Sequence, residues 1–204
     1  MASHSRYPST AIENVHRRLD QLGDAFNPDV IAENFKLFTP LHERAPFADV
    51  DIMRDQRYGT DERNRLDVFQ PKSSAAGSRP VIVFVNGGGF IGGDKSMPNA
   101  PFYDNVGAWA VRHGLVGVNI TYRLAPQHPW PAGSEDLAAA LVWIRSKIAE
   151  HGGDPARIYV MGQSAGGAHV ANFLAHGRFA SPAREALAGA ILVSGLYDTI
   201  SMDK

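Results

Sequence analysis

Gly162-Gln163-Ser164-Ala165-Gly166 is the stretch of this chain whose residue types and spacing suit nucleophilic chemistry. A serine hydroxyl attacks a carbonyl carbon efficiently when it is held clear of the backbone beside donors that receive the resulting oxyanion. The apolar, β-branched run Arg157-Ile158-Tyr159-Val160-Met161 precedes the pentapeptide and reads as a short buried strand. Gly167 to Ala175 follows it and reads as a helix. Strand, G-x-S-x-G and helix together make a sharp turn that lifts the serine hydroxyl out of both elements, with the backbone amide of Ala165 facing the place where an oxyanion forms. Gly162 and Gly166 flank the serine because a Cβ there would meet neighbouring backbone. The pentapeptide alone is a weak signal; its flanking elements and a second motif upstream give it weight.

That second motif is Asn86-Gly87-Gly88-Gly89-Phe90-Ile91-Gly92-Gly93-Asp94-Lys95, with five glycines in seven residues. It follows Pro80 to Val85, a nearly all-apolar run that marks a central strand buried on both faces. Glycines at such a strand end let backbone amides turn toward a ligand in the region where open α/β sheets bind ligands. The cluster lacks both the Gly-Lys-Ser/Thr ending and the G-x-G-x-x-G register of phosphate-binding loops.

The elements that position these motifs follow in order. Ser9 or Thr10 caps a helix over Ala11 to Leu22 that Gly23 ends, and a second helix runs from Pro28 to about Leu37. Residues 1–9 read as a loose leader. Strands are expected over Val50 to Tyr58 and Arg65 to Gln70, then a polar loop from Pro71 to Arg79. After the glycine cluster come a helix from Tyr103 to Arg112 and a strand from Leu115 to Tyr122. A rigid loop containing Pro126, Pro129 and Pro131 leads to a long helix from Gly133 to Glu150. Beyond the elbow, Ala190 to Gly195 is a last strand. From residue 80 the order is β-α-β-α-β-α-β, which predicts a parallel sheet covered by helices on both faces.

The bulk numbers fit one domain with an N-terminal extension. The 204 residues are 44% hydrophobic and carry a net charge of −1 with no long run of either sign, which gives no sign of a nucleic-acid or anionic-membrane surface. No cysteine is present, so disulfides and thiolate metal sites are excluded. The residues after Met1 lack a signal peptide's apolar core, and no apolar run approaches a transmembrane span; a cytoplasmic location is the expectation.

Three stretches together resemble the α/β-hydrolase fold, specifically hormone-sensitive-lipase-like esterases and their carboxylesterase relatives. They are Asn86 to Phe90, Tyr122-Arg123-Leu124-Ala125-Pro126-Gln127-His128-Pro129-Trp130-Pro131-Ala132 with Asp136 and Trp143, and Gly162 to Gly167. The resemblance spans roughly residues 50 to 200. It implies a three-layer α/β/α architecture around a mostly parallel sheet, with residues 49–204 as the core and 1–48 as a helical extension that forms a partial cap or packs on the core. It makes Ser164 the nucleophile and the amides of Gly88, Gly89 and Ala165 the oxyanion hole, with Asn86 and Gly87 supporting the loop. It implies small-molecule carboxylic esters as substrates and neither metal nor organic cofactor.

Two departures stand out. Asn86 occupies the position where the glycine motif normally begins with histidine, so altered activity is expected. The family's acid and histidine follow the serine along the chain. After Ser164 the histidines are His169, within the elbow helix, and His176, near its far end; neither is read as the base. The carboxylates there are Glu185, Asp198 and Asp203. Asp198 is the one weighed as an acid, although it fits better in a structural Ser-Gly-x-Tyr-Asp loop. His128 in the proline loop reads as structural. The expectation is a chain that ends before the last two strands, with triad acid and histidine missing and activity impaired. An arylformamidase-like amide hydrolase and a non-catalytic binding remnant remain open as alternatives. The Ala190–Gly195 strand would then be an uncharged sheet edge open to a second copy. A protein of these 204 residues should therefore elute from size exclusion as oligomers or aggregates, and a monodisperse monomer with a cooperative melt would contradict this.

Overall fold

The computed structural model describes residues 9–25, 27–73 and 78–198. The expected leader before Ser9, the middle of the 71–79 loop and Asp203 lie outside the described residues. The chain divides into two compact units, 1–44 and 45–204.

In the first unit, helix α1 spans Ser9–Leu22 and α2 spans Pro28–Phe38, followed by a 3₁₀ turn over Thr39–Leu41. Gly23 turns the chain after α1 at φ +66, and its N–H bonds Leu19 O at 3.1 Å. Asn27 caps α2 by accepting Val30 N–H at 2.9 Å, with Pro28 in the first turn, where its missing donor costs nothing. Arg18 and Glu33 tie the two helices at 3.1 Å.

The second unit is built on one six-stranded sheet. Strands β1 (Val50–Arg57), β2 (Arg65–Pro71), β3 (Arg79–Val85), β4 (Val116–Ile120), β5 (Gly153–Gln163) and β6 (Leu187–Val193) lie in the order β1-β2-β4-β3-β5-β6. β2 is antiparallel to both its neighbours, while β4, β3, β5 and β6 are mutually parallel. Helices α3 (Asp104–Arg112), α4 (Ala132–Lys147), α5 (Ala165–Ala175) and α6 (Pro182–Glu185) lie between strands in sequence. Side chains alternate across the sheet. Leu66, Val68, Val81, Val83 and Val85 pack with Leu137, Leu141 and Ile144 of α4 and Val170 and Phe173 of α5 on one face. Phe69 packs with Phe47, Val50 and the α3 residues Ala108 and Val111 on the other. All five residues of β4 are buried, as befits a strand covered on both sides. This is a mostly parallel α/β-hydrolase sheet with flanking helices.

Several boundaries differ from the sequence reading. β5 starts at Gly153 rather than Arg157, because Gly153 pairs with Arg79 ahead of a register shift. α4 ends at Lys147; a 3₁₀ turn then runs to His151 and Gly152 reverses the chain at φ +75. The last strand is displaced toward the N-terminus. Leu187 already pairs with Ile158, and Ser194 at φ +48 turns the chain out of the ladder after Val193. α6 was not expected; Ser181 Oγ caps it by accepting Arg184 N–H at 3.3 Å. β6 is an edge strand. Its neighbours Ile191 and Leu192, which point to opposite faces, are 46% and 43% exposed.

At the β1–β2 edge a buried charge network takes the place of apolar packing. Asp67 in β2 is fully buried and accepts from Arg54 Nη1 at 2.7 Å and from the Asp55 N–H at 2.8 Å. Its Oδ1 also lies 3.1 Å from Lys95 Nζ. Arg54 continues to Asp104 with two bonds of 2.7 and 2.5 Å, and Lys95 reaches Asp55 at 2.9 Å. Asp55 sits at φ +55 within the irregularity between Met53 and Gln56 that aims these groups inward. Lys95 holds the Asp55 carboxyl below the ordinary carboxylate range, and the Asp104 bonds push the Arg54 guanidinium up. Removing one charge from such a buried set leaves the others uncompensated. Asp67→Asn is therefore expected to cost about 3 kcal/mol, read as a lower urea midpoint at unchanged m-value.

Candidate active site

The site forms where the C-terminal ends of β3 and β5 meet the start of α5. Ser164 lies between β5 and α5 at φ +55, ψ −123, a conformation that costs a non-glycine residue on the order of 1–3 kcal/mol. Its N–H donates to Val193 O at 2.9 Å and its carbonyl accepts Ala168 N–H at 3.1 Å, so the sheet and the helix both fix the turn. Gly166 shows why the turn closes here. A Cβ on it would stand 2.1 Å from Val85 O and 2.6 Å from Asn86 O, so α5 begins in direct contact with the end of β3. The elbow inferred from the pentapeptide is present.

The glycine loop lies against the serine. A Cβ on Gly87 would stand 2.8 Å from Ser164 Cβ and 2.5 Å from Gln163 Oε1. Gln163 itself accepts Gly87 N–H at 3.2 Å. Gly88 and Gly89 are exposed. No acceptor among the described residues takes the N–H of Gly88, Gly89 or Ala165. The sequence reading gave Gln163 no role; its place inside the pentapeptide was the available signal.

Asn86 is fully buried and donates through Nδ2 to Gly87 O at 2.7 Å, while its Oδ1 has no partner among the described residues. Its carbonyl accepts the Tyr122 hydroxyl at 2.9 Å. Burial pushes the Tyr122 phenol well above its ordinary range, so the group stays a donor. At the other end of the loop Phe90, at φ +68, accepts Ala125 N–H through its carbonyl at 2.9 Å. Arg63 donates to Gly93 O and to Tyr122 O, each at 2.7 Å. The Tyr122–Ala132 segment is held in turn by Asp136, which is 3% exposed and accepts Arg123 N–H at 2.7 Å and Arg123 Nε at 2.9 Å. Arg63 and the Lys95–Asp67 pair lay outside the sequence reading. A single carboxylate inside the apolar run Leu66 to Phe69 was the one hint of a buried partner.

The remaining candidates sit elsewhere. His169 is 7% exposed on α5, with its ring edge-to-face against Phe90 at 5.2 Å and Tyr122 at 4.6 Å. His176 lies beyond the end of α5 beside Trp130, 5.6 Å between rings, with Arg178 over the Trp130 face at 5.6 Å. Trp130 is 54% exposed. His128 approaches Asp61 at 3.7 Å. Asp198 is exposed, five residues past Val193 at the end of β6. No side chain among the described residues hydrogen-bonds Ser164 Oγ, and the described residues contain no His/Cys/Asp/Glu group able to hold a metal.

An elbow serine beside a glycine loop on this sheet is the arrangement of the α/β-hydrolase fold. The chain belongs to the BD-FAE family, whose profile matches residues 66–183. It is 39% identical over 120 residues to a probable isoprenylcysteine alpha-carbonyl methylesterase ICMEL1 of Arabidopsis thaliana, across 59% of this chain and 24% of the relative. It is 47% identical over 89 residues to carboxylesterase NlhH of Mycobacterium tuberculosis, across 43% and 26%. Among solved structures, the ester-hydrolase EH1AB1 from the metagenome of Lake Arreo superposes with a TM-score of 0.61 at 26% identity, covering 95% of this chain and 61% of that one. A bacterial heroin esterase gives 0.58 at 28% identity, covering 81% and 52%. The matches thus span about a quarter of the length of these curated relatives. No helix among the described residues is long and apolar enough to cross a membrane.

Burial holds His169 at about 4, below its ordinary 6.5, and its Nε2 has no partner among the described residues. The fold accepts the neutral ring, so protonation favours unfolding. The stability this residue permits is complete above pH 6.5 and falls as pH drops toward 4, by about 2–3 kcal/mol. Urea unfolding at pH 7.5 and pH 4.5 should show this loss in the parent chain and a correspondingly smaller one in His169→Leu.

Proposed function

We propose that Ser164 is the nucleophile of a carboxylic-ester hydrolase and that the amides of Gly88, Gly89 and Ala165 bind the oxyanion, with Asn86 and Gly87 shaping their loop. The apposition of Gly87 to Ser164, 2.8 Å from a Cβ on one to the Cβ of the other, carries this reading. In it, Ser164 Oγ attacks the ester carbonyl carbon and the carbonyl oxygen gains charge facing the three amides. The serine proton passes to the departing oxygen, which leaves as the alcohol; water then adds to the acyl carbon, releasing the acid and returning a proton to Ser164 Oγ. Each donor of this kind contributes about 3 kcal/mol to the transition state. The relatives named as esterases support ester rather than other acyl substrates.

The proton must also move. Without a base at its hydroxyl a serine is a weak nucleophile, and loss of the histidine from such a unit costs about a millionfold in turnover. In our reading this chain therefore holds nucleophile and oxyanion donors and turns over slowly. Asp198, on the segment after β6, stands as the weaker candidate for an acid.

A fluorophosphonate probe tests the assignment. We expect phosphonylation of Ser164, located by peptide mass spectrometry and lost in Ser164→Ala. A parent chain left unlabelled under forcing conditions would favour a binding remnant without turnover. Faster cleavage of N-formyl amides than of aryl esters would favour the amide hydrolase instead.

A further inference from the structure

We propose that His169 is a positioning residue for the glycine loop, acting through its ring rather than as an acid or base; this rests on the oxyanion reading of Gly88 and Gly89 given above. His169 lies on α5, five residues after Ser164, and is buried. Its ring touches two others. One belongs to Phe90, the residue directly after Gly87-Gly88-Gly89. The other belongs to Tyr122, whose hydroxyl bonds the carbonyl of Asn86, directly before those glycines. A single imidazole thus contacts Tyr122, whose hydroxyl ties the start of the loop, and Phe90, whose ring lies at its end.

The fit on a third side is equally close. A Cβ on Gly133, at the start of α4, would stand 2.4 Å from His169 Cε1 and 2.5 Å from Nε2. Ser134 Oγ donates to the His169 carbonyl at 3.1 Å, which fixes the backbone that carries the ring. Nε2 has no partner among the described residues, so the ring serves there as an aromatic wedge rather than as a hydrogen-bonding group. Phe90 needs such support, because its φ of +68 is a conformation a bulky residue does not keep without help from its surroundings. Its carbonyl then receives Ala125 N–H at 2.9 Å, a bond that reports directly on whether the loop end is held.

The experiment compares His169→Leu, Phe90→Leu and the double variant in the full chain by amide exchange at Ala125, with β3 and β5 amides as the fold reference. Each single variant should raise Ala125 exchange about tenfold with the reference amides unmoved. The double variant should go no further, because both changes dismantle one ring cluster. Independent effects multiplying to about a hundredfold, or unchanged exchange at Ala125, would overturn the proposal. If His169→Leu alone loses its β3 and β5 protection, Phe90→Leu decides, since that ring belongs to the loop itself. The second readout is the rate of Ser164 phosphonylation, expected to fall about tenfold in both single variants if loop position governs the oxyanion donors. Faster exchange with an unaltered labelling rate would reduce His169 to a packing residue and overturn its positioning role. A parent chain that is never labelled rejects the ester-hydrolase reading, whereas the exchange result tests the ring wedge by itself.

Discussion

The close approach of the Gly166 backbone to the carbonyls of Val85 and Asn86 is the constraint from which the site follows. At 2.1 Å from a would-be Cβ to Val85 O, no side chain of any kind fits. Because the first turn of α5 is pressed onto the end of β3, the residue two positions earlier must leave β5 by an abrupt bend, and that residue is Ser164. The same contact brings the end of β3 alongside the serine, so the glycine loop that continues from β3 starts beside it. Strand pairing between β3 and β5, with Val85 opposite Gly162, sets the relative height of the two motifs. The serine's strained backbone is thus maintained by packing around it and by its hydrogen bonds to Val193 and Ala168.

A glycine-rich loop placed this way needs support from its flanks, since its glycines contribute no side chains to hold it. That support comes in three chemically distinct forms. Side-chain amides act at the start, where Gln163 and Asn86 bond the backbone of Gly87. Aromatic rings follow, with Tyr122, His169 and Phe90 in edge-to-face contact. Ions hold the exit, where Lys95 reaches the buried Asp67. Burying Asp67 is costly in itself, and the arrangement is tenable because two cations and a backbone N–H surround it.

The alternation of strands and helices in the C-terminal half, with the parallel sheet it implies, and the two motifs were legible because they express short-range rules. An apolar run ending in glycines and a G-x-S-x-G between strand and helix each carry their own geometry. The stripe Leu137, Leu141, Ile144 and Ile148 was readable for the same reason and is fully buried. What escaped the sequence was long-range. Arg54, Asp67, Lys95 and Asp104 are scattered across 51 residues, and no local pattern announces that they converge. Gln163 and Tyr122 sat inside stretches already singled out, yet their roles depend on which carbonyl or amide lies opposite. The ends of β5 and β6 were misplaced because pairing partners, Arg79 for Gly153 and Ile158 for Leu187, decide strand limits more than composition does.

Arg63 has a mechanical consequence. Its planar guanidinium spans two carbonyls, Gly93 O on the loop after β3 and Tyr122 O on the segment after β4. A flexible ammonium cannot reproduce that two-pronged geometry. The two segments are therefore bolted together, and whatever tilts one carries the other with it.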